Sequence, residues 1–88
     1  MKRYFLSYNE ITKNYFLDYG CFDRGRQPLG NIDGKGLTKK LKEILPMHRQ
    51  IEIYTQMDID NSIKELLQEN FKNTSIKVEF VKDLKSLC

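Results

Sequence analysis

The feature that most constrains the fold is an alternation of two helix patterns with two strand patterns between Gly36 and Val81. The four segments read, in order, GLTKKLKEIL, IEIYTQM, DNSIKELLQENF and SIKVEFV. Two strands separated by one helix usually pair in parallel through a right-handed crossover. The block therefore predicts parallel strands that are covered by helices.

The first helix is predicted to begin at Gly36 or Leu37 and to end at Pro46, because proline cannot continue a helix. Its apolar stripe recurs at helical spacing and consists of Leu37, Leu41, Ile44 and Leu45. The opposite side of the same helix carries Lys35, Lys39 and Lys42. This helix is thus expected to cover the core with one face and to display positive charge on the other.

The second helix lies between a strand over Ile51–Met57 and a strand over Ile76–Phe80, both predicted from alternating apolar and polar side chains. Side chains suited to cap its N-terminus are Asp58, Asp60, Asn61 and Ser62. Its apolar stripe consists of Ile63, Leu66, Leu67 and Phe71. Residues 82–88 are expected to add a short helical turn over the edge of the core.

The N-terminal part contains two aromatic runs, Arg3–Tyr8 and Asn14–Phe22, which predict an antiparallel hairpin. Asp23–Lys35 collects glycines and a proline and is predicted to be one long loop. The expected fold is a single α+β domain over residues 1–88, a ββαβαβ two-layer sandwich. Its four-stranded mixed sheet would have an N-terminal antiparallel hairpin and two helices. If Tyr4 and Phe5 face opposite sides, both faces of the sheet carry aromatic side chains.

The composition indicates an ordinary globular protein. The chain has 88 residues, of which 40% are hydrophobic and 31% charged, and no apolar run reaches the roughly 20 residues of a membrane helix. Cys21 and Cys88 are too few for a disulfide framework, and no export signal is recognisable, so two free thiols are expected. We therefore expect a cytoplasmic protein that makes no contact with a membrane.

Positive charge is concentrated in residues 24–49, which carry a net charge of +5 while the rest of the chain carries −2. The basic residues of this segment are the candidate partner-binding residues Arg24, Arg26, Lys35, Lys39, Lys40, Lys42 and Arg49. Arg24 and Arg26 also lie close in sequence to Tyr19 and Phe22, and arginine beside aromatic side chains is typical of interfaces. A contact surface is therefore predicted at this loop and the helix that follows it.

The run IEIYTQMDIDNSIKELL, followed by SIKVEFVK, resembles the middle of the ribonuclease H-like fold. In that family a strand ending in a Tyr-Thr-Asp-like turn leads straight into a helix, and the resemblance extends over roughly Arg3 to Val81. One strand of the usual three-stranded meander is not evident in this sequence. The resemblance also implies metal-binding carboxylates, but Gln56 stands where the turn would supply one, and the helix stripe is apolar. A minimal, catalytically degenerate member is expected.

Other chemistry-bearing patterns predict neither a cofactor nor a metal. His48 is the sole histidine and is expected to be an exposed loop residue, so no imidazole pair can be formed. The glycines before the first helix match neither common phosphate-loop spacing and are better explained as turn residues. A displaced metal site formed by Glu10, Asp18 and Asp58 is conceivable, although capping of the second helix by Asp58 or Asp60 is the better explanation of these aspartates.

Three functions remain. The first is a non-enzymatic interaction protein that binds a protein or nucleoprotein partner, as inhibitors and immunity proteins do, including anti-CRISPR-type proteins; nothing in the residues selects this biological setting. The second is a nucleic-acid-binding protein that uses the basic segment. The third is a metal-dependent nuclease with rearranged acids. A homodimer could also form if an edge strand such as Asn14–Phe22 pairs across a twofold axis.

Overall fold

A computed structural model describes residues 2–20 and 26–87. The strands are β1 (Lys2–Asn9), β2 (Asn14–Tyr19), β3 (Gln27–Gly30), β4 (Ile51–Gln56) and β5 (Ile76–Val81). The helices are α1 (Gly34–Ile44) and α2 (Asn61–Phe71), and a 3-10 helix follows at Leu84–Leu87. The strand order across the sheet is β3-β2-β1-β4-β5. The predicted α+β class and mixed sheet are confirmed.

The predicted pairing directions are also confirmed. Strand β1 pairs antiparallel with β2 and parallel with β4, and β4 pairs parallel with β5. Because β2 pairs with both β1 and β3, it lies inside the sheet, and the expectation that Asn14–Phe22 forms an edge strand is wrong. Cys21, Phe22 and Cys88 lie outside the described residues. The expectation that both cysteines are free thiols therefore stays a prediction.

The sheet has five strands, so the predicted four-stranded sheet and the single loop over Asp23–Lys35 are wrong. Gln27–Gly30 pairs antiparallel with β2 and places Leu29, which is 2% exposed, in the core. Pro28 is compatible with this strand because β3 lies at the edge of the sheet, where one row of amides needs no partner. A register shift opposite Tyr15 and Phe16, with Gly30 at a φ of 93°, accommodates the irregular sequence.

The first helix begins at Gly34, two or three residues earlier than predicted, because Asp33 caps it by accepting a hydrogen bond from the amide of Gly36. A Cβ atom at Gly34 would collide with Leu66 Cδ1 and lie 3.0 Å from Ile63 Cδ1 of α2. The two helices therefore approach closely at this glycine. Leu45 caps the other end of α1, and Pro46 follows it as predicted.

The main core lies between the helices and one face of the sheet. It joins leucines of α1 and α2 to alternate residues of the central strands, including Leu6 and Ile53. The opposite face carries Phe5, which is fully buried and stacks on Tyr54 with ring centroids 5.7 Å apart. The 3-10 helix contacts β4, and its Leu84 is buried, which confirms the predicted C-terminal turn. Both faces carry aromatic side chains, as expected from β1.

Candidate functional site

Helix α1 carries four of the predicted partner-binding residues. Lys35, Lys39 and Lys42 recur at i, i+4 and i+7, are exposed, and form what we call the lysine row. Lys40 is also exposed, but its Nζ donates a hydrogen bond to the carbonyl oxygen of Leu29, 3.2 Å away. The lysine row therefore extends along the outer side of α1, while Lys40 bonds to the edge strand β3.

The lysine row has no carboxylate partner among the described residues. Within residues 2–20 and 26–87, no ion pair involves a lysine of α1, and Glu43 is the only acidic residue of that helix. Lys42 Nζ donates to Asn70 Oδ1 of α2 at 3.1 Å, which is a neutral acceptor. The positive charge of this helix is thus not compensated inside the part of the molecule that the structure describes.

Arg26 lies on the other side of the sheet. Its Nε is 3.6 Å from Asp18 Oδ1, and its guanidinium carbon lies 4.8 Å from the ring centroid of Phe16. Because residues alternate between faces along β2, Phe16 and Asp18 point away from the core residue Leu17 and from the helices. Asp18 is fully buried, so Arg26 neutralises a charge that would otherwise be costly. Arg26 and the lysine row do not form one surface.

The two other predicted basic residues do not extend the lysine row within the described structure. Arg24 lies outside the described residues. Arg49 is exposed between α1 and strand β4. Burial and the nearby Tyr19 raise the pKa of the Tyr4 phenol, and the positive charge of Arg49 partly opposes that rise. The exposed loop position expected for His48 is confirmed. Of the seven predicted contact residues, the structure brings together the four lysines of α1.

The three carboxylates of the conceivable nuclease site are not brought together. Asp18 is buried beside its β1 partner Phe5, on the sheet face opposite α1 and α2, whereas Glu10 and Asp58 line a cleft at the carboxyl ends of β1 and β4. In residues 2–20 and 26–87, no group of three or more His, Cys, Asp or Glu side chains could hold a metal ion. Glu10, Asp18 and Asp58 therefore do not form the cluster of oxygen ligands that a two-metal reaction needs.

The cleft itself was not predicted from the sequence. It has a volume of about 630 Å³ and lies at the carboxyl ends of the neighbouring strands β1 and β4. From these ends the chain continues in opposite directions across the sheet, from β1 to β2 and from β4 through α2 to β5. Such a switch point, outside the carboxyl ends of parallel strands, is a frequent ligand site in α/β folds. One wall is aromatic, since the rings of Tyr8 and Tyr15 pack with centroids 4.7 Å apart.

The polar lining of the cleft is strongly acidic. Among the described residues, the charged ones that line it are Glu10, Asp33, Asp58 and Asp60, and none of them is a lysine, arginine or histidine. Asp60 caps α2 by accepting hydrogen bonds from the hydroxyl and amide of Ser62, and these bonds hold the pKa of its carboxyl below the usual range. Burial raises the pKa of the Tyr15 phenol, and the nearby Tyr8 and Asp60 raise it further.

The sequence contained a partial signal for this site. The sequence identifies Asp58 and Asp60 as capping candidates after β4. Their proximity to Asp33 depends on strand β3, which brings the chain back to the carboxyl ends of β1 and β4 before α1 begins. Without that strand, the start of α1 could not be placed beside the start of α2.

No helix within residues 2–20 and 26–87 is long and apolar enough to cross a membrane. Comparison with models of protein families, with curated proteins and with solved structures found no match.

Proposed function

We propose that this chain is a small, non-enzymatic interaction protein that binds a protein or nucleoprotein partner in the cytoplasm and acts as an inhibitor, of the anti-CRISPR or immunity type. The lysine row carries the proposal, because its three ammonium groups are exposed and have no carboxylate partner in the described part of the chain. An acidic surface on a partner would supply the missing charges, which speeds association and selects the partner.

The charge pattern around α1 favours a protein surface over bare nucleic acid. Asp33 caps the helix, and Asp58 and Asp60 line the same cleft as Asp33, so negative charge adjoins the N-terminal end of the lysine row. A phosphate backbone is uniformly negative and would be repelled there. A protein can present opposite charges side by side and can match both regions.

We further propose that the fold is a minimal ribonuclease H-like one that lacks the catalytic acids. Strand β3 supports this proposal, since it completes an antiparallel meander of β3, β2 and β1 whose third strand is not evident in the sequence. Gln56, the last residue of β4, would stand where the ribonuclease H-like family has a catalytic acid. A partner-binding role is compatible with such a scaffold because function depends on the displayed site rather than on the fold.

The direct test is partner capture with matched charge-reversal variants. Wild-type protein is immobilised and exposed to nuclease-treated extract of the cells that encode it, beside Lys35→Glu/Lys39→Glu and the control Lys82→Glu/Lys85→Glu. All four lysines are exposed, and both variants replace two positive charges by two negative ones. We expect the wild type and the control to retain the same partner and the α1 variant to lose it. Equal recovery by all three proteins would contradict the proposed surface.

The two alternative functions need separate assays. A labelled oligonucleotide, titrated at two salt concentrations, tests direct nucleic-acid binding, because phosphate contacts make affinity fall steeply with salt. Tight, salt-sensitive binding that Lys35→Glu/Lys39→Glu abolishes would favour the nucleic-acid function over the protein partner. Incubation of DNA and RNA with Mg²⁺ or Mn²⁺ tests the nuclease. Cleavage that Asp58→Ala removes would overturn the non-enzymatic proposal.

A further inference from the structure

The cleft at the carboxyl ends of β1 and β4 has a buried hydroxyl at its base. Thr55 is 1% exposed and belongs to the cleft lining, yet its Oγ1 has no hydrogen-bond partner within the part of the chain that the structure describes. An unsatisfied buried hydroxyl costs about 1 to 3 kcal/mol. A polar group that enters the cleft could complete the bonding of this hydroxyl and offset that cost.

The charges of the cleft select the sign of such a group. Of the side chains in residues 2–20 and 26–87, four carboxylates and no basic group line it. Oδ1 accepts the capping hydrogen bonds in both Asp33 and Asp60, so Oδ2 of each carboxylate can still accept a hydrogen bond from a ligand. Glu10 and Asp58 are exposed at the rim. A cation that enters the cleft would meet hydrogen-bond acceptors on several sides, whereas an anion would be repelled.

The aromatic wall and the size of the cleft select an organic cation over a metal ion. The Tyr8 and Tyr15 rings can interact favourably with an ammonium or guanidinium group through their faces. The volume of about 630 Å³ is in the range of small-molecule sites. In contrast, no group of three or more metal-ligating side chains is assembled in residues 2–20 and 26–87.

We propose that this cleft binds a small organic cation that carries a primary ammonium or a guanidinium group. The cationic group pairs with the carboxylates of Asp58 and Asp60, to which Glu10 adds a third at the rim of the cleft. It donates a hydrogen bond to Thr55 Oγ1, while the alkyl part packs against Tyr8 and Tyr15. The site is separate from the lysine row and does not depend on the proposed partner.

Amide chemical shifts measured by NMR during titration test the ligand class. The cationic probes are cadaverine and agmatine, and 1-pentanol and pentanoate are the neutral and anionic controls of similar length. We expect saturable shifts for residues around Tyr15, Thr55 and Asp60 with the two cations only. Equal shifts with pentanoate, or no saturable shift with either cation at millimolar concentration, would overturn the proposal.

Two matched pairs of variants test the residues. Glu10→Gln should weaken cadaverine binding by about two- to fivefold, as expected for the loss of one exposed charge pair. The control Glu65→Gln should leave the affinity unchanged, because Glu65 is exposed on α2 outside the cleft. Thr55→Val should weaken it by about three- to tenfold through the lost hydrogen bond. Thr38→Val is the control, since Thr38 is buried in α1 and bonds to the Lys35 carbonyl.

The source of the cation is tested with N-acetyl-lysine methylamide. The comparison probe is pentylamine, because it also carries a single ammonium group. Weaker binding of the lysine derivative than of pentylamine supports a free small molecule as the ligand, and tighter binding at the same residues overturns the small-molecule source in favour of a basic side chain on a protein. Lys35→Glu/Lys39→Glu should not weaken cadaverine binding, so failure of the proposed partner surface and failure of the cleft site can be distinguished. Equal loss of binding in Glu10→Gln and Glu65→Gln would contradict a localised site.

Discussion

Replacement of Thr55 by valine should stabilise the protein, which is the opposite of the usual effect of a core substitution. Thr55 is 1% exposed, and its hydroxyl has no partner in the described residues. Valine keeps the shape of the side chain and removes the desolvated hydroxyl, whose burial costs about 1 to 3 kcal/mol. For a domain of this size, each kcal/mol corresponds to a rise in Tm of about 4 to 8 °C.

The matched control is Thr38→Val. Thr38 is also buried, but its Oγ1 donates a hydrogen bond to the carbonyl oxygen of Lys35 at 3.0 Å. The same substitution there removes a satisfied hydroxyl and should destabilise the protein by about 0.5 to 1.5 kcal/mol. The two variants should therefore shift the free energy of unfolding in opposite directions.

Urea unfolding, followed by circular dichroism, measures both effects. A higher midpoint with an unchanged m-value for Thr55→Val would show a change in stability rather than in compactness. If Thr55→Val is less stable than the wild type by as much as Thr38→Val, the Thr55 hydroxyl has a hydrogen-bond partner, and both the stability argument and its use in the cleft proposal fail.

Three further outcomes follow from single residues. Leu67→Ala removes a fully buried side chain of α2 and should cost about 2 to 5 kcal/mol in urea unfolding, whereas Leu66→Ala, at a half-buried position, should cost less. The lowered pKa of Asp60 means that its contribution to stability is present above its ordinary value of 3.8 and is lost as pH falls through the lower pKa of the folded state. Asp60→Asn can still cap α2 but cannot titrate, so its unfolding midpoint should vary less with pH in the acid range; an unchanged profile would contradict this role. Because the pKa of Tyr15 is raised above 10.0, stability should fall as pH rises above that value, and Tyr15→Phe should reduce this loss in alkaline unfolding curves.

The regular part of the fold was predictable because its periodic patterns are long. The helices and the strands Ile51–Gln56 and Ile76–Val81 agree with the sequence analysis to within about two residues. Strand β3 was missed because it is short and contains Pro28 and Gly30, which usually mark a loop. Its formation depends on pairing with β2 and on burial of Leu29, and neither can be read from the local sequence.

The candidate sites were predictable to different degrees, because some lie on one element and others depend on contacts between separate elements. The lysine row follows from helical spacing within one element, so its alignment could be predicted from the sequence. The role of Arg26 could not, because the pairing register that buries Asp18 beside it involves separate strands. The cleft requires the ends of β1 and β4 and the starts of both helices to meet. That meeting is a property of the five-stranded topology.

The position of Lys35 distinguishes two explanations of the lysine row, namely helix stability and the proposed binding of a partner. Lys35 lies in the first turn of α1, where the helix dipole disfavours a positive charge, and that turn contains no acidic residue. Lys42 is in the last turn, where the same dipole favours it. Helix stability alone accounts for Lys42 but not for Lys35. The proposed surface for an acidic partner would account for both, because such a surface uses positive charge along the whole exposed side of the helix.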